Sequence, residues 1–193
     1  MRQSRRRLTR LIKQLRAARR AGELVRVRRS IARADVVEGF VIETNEAWTL
    51  LARLDRLIML DGFVAVRTPD IRSVRPKAGR HDFPVRALAL RGQWPPNRPA
   101  GEVLLASAGT VLAGVSDVYP VVAIATERRD PSVLVIGRPI RITGKRLRLR
   151  EISPRARWHH GTTAWRLADV TRVDFGGRYE QALVEYAGPP PPP

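Results

Sequence analysis

Ala65-Val66-Arg67-Thr68-Pro69-Asp70-Ile71-Arg72-Ser73-Val74 returns further along the chain as Ala164-Trp165-Arg166-Leu167-Ala168-Asp169-Val170-Thr171-Arg172-Val173, keeping Ala, Arg, Asp, a β-branched residue and Val at matching positions. Upstream of each block stands a glycine followed by apolar residues at the same spacing: Gly39, Ile42, Leu51 and Leu54 in one case, Gly137, Ile140, Leu149 and Ile152 in the other. Alternating apolar positions suit half-buried strands, and a glycine among them marks a bend or a close approach of two backbones. A pattern of this length written twice reads as two copies of one small domain. Aligned without a gap, residues 24–55 and 122–153 share Val37/Val135, Gly39/Gly137, Ile42/Ile140 and Leu51/Leu149, and one residue of gap brings the closing blocks into line. Two strand-rich segments built from Val, Leu and Arg also align by chance. The glycines falling inside the strand pattern favour duplication.

Working outward, the first copy predicts strands at Leu24 to Ser30, Val36 to Glu43, Trp48 to Leu54, Gly62 to Arg67 and Ile71 to Arg75. The second predicts them at Pro120 to Thr126, Val133 to Ile142, Arg146 to Ile152, Thr162 to Leu167 and Val170 to Phe175. Asn45-Glu46 and Thr143-Gly144 occupy equivalent turns. A helix precedes each set. Leu8, Leu11, Ile12, Leu15 and Ala18 form one helical stripe, with Ser4 placed to cap it and Gly22 to end it; Leu104, Ala108, Val111, Leu112 and Val115 form the other. The fold class is therefore mainly β with accessory helices (α+β): two tandem, strongly bent antiparallel small β-barrels, each preceded by a helix.

The segment between the copies offers Asp82-Phe83-Pro84 as the opening of a short helix through Arg91, stopped by Gly92, then Trp94-Pro95-Pro96-Asn97-Arg98-Pro99 as a stiff linker whose Trp94 packs on a neighbouring domain. A last helix contains Tyr179, Leu183 and Tyr186. The organisation reads as 1–76, basic helix and first barrel; 77–102, short helix and Pro-rich linker; 103–188, helix, second barrel and C-terminal helix; 189–193, polyproline tail.

Charge is the second signal. Of the +18 formal net charge, the first 33 residues hold 13 Arg or Lys against the single acid Glu23. Arg outnumbers Lys 33 to 3, as base composition in a GC-rich genome would produce, but that bias does not explain an acid-free stretch from Met1 to Gly22. Arg5, Arg6, Arg7, Arg10, Lys13, Arg16, Arg19 and Arg20 occupy the faces of the first helix that the leucine stripe leaves. Such a face either stays in water or lies along phosphates. A mitochondrial transit peptide shares this composition, yet the matching helix before the second copy makes the first one part of the repeated unit.

Several classes drop out. There is no Cys, which excludes disulfides, thiolate metal sites and cysteine nucleophiles and fits a cytoplasmic location. The longest apolar run, Val103 to Val115, is too short to span a bilayer. No phosphate loop, nucleophile elbow or dinucleotide fingerprint is present: Gly144-Lys145-Arg146 lacks both the preceding glycine and the following Ser or Thr. His159 and His160 would point to opposite faces of a strand and do not chelate one ion; a solvated loop suits them better. The expectation is a non-enzymatic protein with no cofactor, no metal and no small-molecule substrate.

Gly39-Phe40-Val41-Ile42, the turn at Asn45, Trp48-Thr49-Leu50-Leu51 and the closing run Val66 to Val74 resemble the two signature segments of the Sm-like (Hfq-like) small β-barrel family. The similarity covers most of the first copy and, more loosely, Pro120 to Phe175. It implies an RNA pocket lined by the turn between the second and third strands and the turn between the fourth and fifth. The positions that match are Asn45 and Arg67 in the first copy, and Thr143 and Arg166 in the second. Arg67 and Arg166 have an equal claim to an ion pair with Asp70 or Asp169, three residues on. Trp48, Lys145 and Arg146 join the candidates for stacking or charge. The expected partner is RNA, held at phosphates by the N-terminal helix and the barrel loops. The alternative is a protein-interaction or assembly module, possibly ribosome-associated, that pairs through barrel edge strands.

Overall fold

The computed structural model describes residues 2–190, with the side chains of 2–4 and the end of the polyproline tail, 191–193, outside the described residues. The chain divides into two compact units, Met1–Arg98 and Pro99–Pro193. The first contains α1 (Arg2–Ala21), β1 (Leu24–Arg29), β2 (Val37–Thr44), β3 (Trp48–Leu54), β4 (Leu60–Arg67), a 3-10 turn at Thr68–Asp70, β5 (Ile71–Ala78) and α2 (Phe83–Leu90). The second repeats that order: α3 (Ala108–Ser116), β6 (Val122–Ala125), β7 (Leu134–Ile142), β8 (Arg146–Glu151), β9 (Thr163–Arg166), a 3-10 turn at Leu167–Asp169, β10 (Arg172–Phe175) and α4 (Arg178–Ala187). Within each unit the strands pair antiparallel with the fifth beside the first, as β5-β1-β2-β3-β4 and β10-β6-β7-β8-β9. The architecture is mainly β with helices, an α+β fold. Among the described residues no ladder joins β4 to β5 or β9 to β10 within a unit.

The duplicated glycines do the same work twice. A Cβ on Gly39 would stand 2.2 Å from the carbonyl oxygen of Ala52, and one on Gly137 would stand 2.3 Å from that of Arg150. No side chain fits there, so the second strand of each unit lies against the third at a distance only glycine allows. A few residues on, each pair slips: the register shifts between Val41 and Glu43, leaving Ile42, and between Pro139 and Arg141, leaving Ile140. The bulge turns the strand and changes which side chains share a face.

In the first unit α1 lays Leu11, Leu15 and Ala18 over Val25, Val27, Val41, Leu51, Val64, Val66 and Ile71, all buried. Each buried leucine contributes about 1.5–3 kcal/mol. Gly22 ends the helix at φ +63°, with its N–H and that of Glu23 donating to the carbonyls of Arg19 and Ala18. The helix begins at Arg2, so Ser4 sits inside its first turn rather than capping it. The second face of the sheet is closed by α2: Val85 and Leu88 join Leu24, Phe40 and Ala78, and Trp94 packs against this cluster. Threonine hydroxyls fill one dry spot, Thr49 bonding Thr44 at 2.8 Å and Thr68 at 2.9 Å, all three buried.

In the second unit α3 starts at Ala108, not Leu104, because Ser107 caps it in a reciprocal box with Thr110. Leu104 precedes the helix and is exposed, its carbonyl taken by the Thr110 hydroxyl. Val111, Leu112 and Val115 are buried, as are Leu147 and Leu149 of β8, while Leu183 of α4 packs with Val121, Ala123, Ile136 and Ile152. No helix among the described residues is long and apolar enough to cross a membrane.

Two stability measurements check this construction. Gly39→Ala must push a backbone carbonyl aside and is expected to cost roughly 3 kcal/mol or more in a denaturant melt. Thr49→Val strands the Thr44 and Thr68 hydroxyls and should cost about 1–3 kcal/mol, whereas replacing all three threonines by valine should cost less than that single change; the reverse ranking would refute the hydroxyl chain.

Candidate nucleic-acid interface

The basic helix supplies the first candidate surface. Arg5, Arg6, Arg7, Arg10, Lys13, Arg16, Arg19 and Arg20 are all exposed, as the stripe pattern requires, but they are not equivalent. Arg7 donates to the carbonyl of Ile71 at 2.8 Å, and Arg19 pairs with Glu43 at 3.0 Å, where Arg98 also reaches the same carboxylate. Both are committed to holding α1 on the sheet. Of the remaining six, Arg6, Arg10, Lys13, Arg16 and Arg20 follow at successive spacings of four, three, three and four, which places them along one outward stripe about 21 Å long, with Arg5 beside its start. No acid lies within α1 to offset them.

The turn positions of the first unit carry structural contacts. Asn45 Oδ1 accepts the backbone N–H groups of Ala47 and Trp48 at 2.8 and 2.9 Å, so its side chain builds the turn. In the second unit Thr143 takes the same post, its hydroxyl accepting from Arg146 N at 3.2 Å. Trp48 is only 4% exposed, so its ring is packed within the sheet. Arg67 Nε lies 4.0 Å from the buried Asp70, and Arg166 Nε lies 4.0 Å from Asp169, which Arg129 also approaches at 3.3 Å. The two acids thus hold arginines near their 3-10 turns in both units.

The third strand of the second unit is different. Leu147 and Leu149 point into the core, so Arg146, Arg148 and Arg150 point to the other face. The register sets Arg146 opposite Arg166, Arg148 opposite Arg141 and Arg150 opposite Arg138. Three consecutive rows of the sheet therefore carry an arginine facing an arginine. Arg150 is buried; Arg138, Arg141, Arg146, Arg148 and Arg166 are exposed, and Lys145 extends the patch from the adjoining turn. Arg148 reaches the Thr162 hydroxyl, and no Asp or Glu occupies any position of these rows. Arg138, Arg141 and Arg148 escape a reading of the sequence because Arg138 and Arg141 are three apart. On a regular strand they face opposite ways, and only the bulge at Ile140 brings them together.

Among the described residues no group of three or more His, Asp or Glu converges as metal ligands. His159 and His160 are exposed, with His159 Nδ1 4.0 Å from Glu151. Compared with family models, with curated proteins and with solved structures, the chain matches none.

Asn45→Ala removes two turn hydrogen bonds and is expected to cost about 1 kcal/mol of stability, with affinity for unstructured RNA unchanged at fixed salt. Lost affinity with full stability, measured by anisotropy and thermal melting, would restore Asn45 as a base contact.

Proposed function

We propose that the protein binds RNA through its phosphates, without catalysis, and that each unit is an Sm-like small barrel in which the 3-10 turn carries the chain from the fourth strand to the fifth. The observation that carries the binding reading is the uncovered stripe of Arg6, Arg10, Lys13, Arg16 and Arg20, free of ion pairs among the described residues, on a helix where Arg7 and Arg19 are tied down. Concentrated like charge destabilises a helix face by itself, and a polyanion offsets that cost while releasing its own counterions. The barrel reading is supported by the strand order, the close approach at Gly39 and Gly137, and the bulge that follows each.

Assembly through edge strands has less behind it. β5 is paired on one side only, but Arg72, Arg75, Pro76 and Lys77 are all exposed along it. Charged residues and proline are what keep an edge from recruiting another strand.

Deleting the helix is a poor test, because Leu11 and Leu15 would leave the core with it. Changing the five free cations to Gln keeps the apolar stripe. At about 0.7 counterions per phosphate on single strands, the slope of log affinity against log salt should become shallower by about 3.5. An unchanged slope in titrations of an unstructured RNA would refute the helix as the contact.

A further inference from the structure

We propose that the arginine face of β7, β8 and β9 is a second phosphodiester-binding surface, independent of the helix, that follows the backbone of a single RNA strand and does not read its bases. This rests on the RNA reading above and assigns it a second site.

The first ground is electrostatic. Like charges directly opposite each other on a sheet destabilise it, and here the Arg148–Arg141 row faces like to like while Arg146 faces Arg166, which has Asp169 at 4.0 Å. A face needed only for solubility would intersperse both signs. A bound polyanion turns this repulsion into attraction.

The second ground is the comparison of the two copies. The positions that hold Arg138, Arg146, Arg148 and Arg150 in the second unit hold Phe40, Trp48, Leu50 and Ala52 in the first, where all four are buried. Position 141 corresponds to Glu43, an acid already shared by Arg19 and Arg98. The same sheet positions are therefore buried in one copy, while in the other Arg138, Arg146 and Arg148 are exposed and Arg150 alone is buried. Duplication supplied the scaffold, and only the second copy presents these guanidiniums.

The third ground is shape. Alternate residues along β8 stand about 6.6–6.8 Å apart, and neighbouring strands about 4.8 Å apart. Arg146 and Arg148 thus repeat at a pitch of the same order as successive phosphates on an extended strand, flanked by Arg166 on one side and Arg141 on the other. Planar guanidinium forks suit phosphate oxygens. No aromatic ring joins the face: Trp165 pairs with Leu147 on the opposite side and donates its Nε1–H to Glu151. Without a ring to stack on, the contacts this face offers are guanidinium to phosphate.

The test uses the full chain and its Arg141→Gln/Arg146→Gln/Arg148→Gln variant, titrated with oligouridine, oligoadenylate and oligodeoxythymidine of equal length across a salt series, with thermal melting alongside. The expected result is a salt slope shallower by about 2 for the variant, equal for all three oligomers, together with an unchanged or raised melting temperature because like-charge contacts are relieved. The same loss should appear when the five helix cations are already Gln. If the wild type binds none of the oligomers, the RNA reading falls with this one. If the wild type binds and the variant keeps its slope, or melts lower, or if only anionic phosphatidylserine vesicles distinguish the two proteins, this face is not an RNA site and the helix reading stands alone.

Discussion

Everything in either unit depends on one close approach, the second strand resting on the third where Gly39 meets Ala52 and Gly137 meets Arg150. A Cβ at either glycine would overlap a backbone carbonyl, so the contact is available to one residue type alone. The bulge a few residues later re-aims the rest of the strand, and with it the parity of every side chain beyond. In the first unit that parity sends Phe40, Leu50 and Ala52 to one buried layer while Val41, Leu51 and Val64 meet the helix. In the second the same geometry gathers arginines. Backbone shape is thus shared between the units, and what the shape displays is decided by the residue types placed on it.

The helices follow from this. A sheet with two apolar faces must cover both, and the first unit does so with α1 on one side and α2 with Trp94 on the other. Arg7 and Arg19 are drawn into that fastening, which separates them from the cations of the helix that remain outward. An arginine count at the N-terminus therefore overstates the charge available to a partner.

Much of the fold was legible in the sequence because its signals are local. Glycines inside strand patterns, the Asp-Phe-Pro start of α2 and the periodic leucines of α1 all act through neighbouring residues. The start of α3 was misplaced at Leu104 because apolar spacing continued past a cap, and Ser107 with Thr110 outweighs spacing. The site was less legible. Asn45 matches a binding position by sequence, yet the N–H groups beside it claim its oxygen first. Trp48 looked available until its burial was known. The arginine rows depend on which residue faces which across three strands, and on one bulge. Register of that kind is set by the whole sheet, not by any window of the chain.

The contrast between the two third strands has a bearing on folding itself. A chain holding two copies of one strand order risks pairing the second strand of one copy with the third strand of the other. Such a hybrid would require Arg146 and Arg148 to enter the space of Trp48 and Leu50, and burying unpaired guanidiniums there costs several kcal/mol each. The divergence that opens one face to solvent thus also labels each half of the molecule, so that the growing chain sorts its own strands and domain-swapped forms are disfavoured from within.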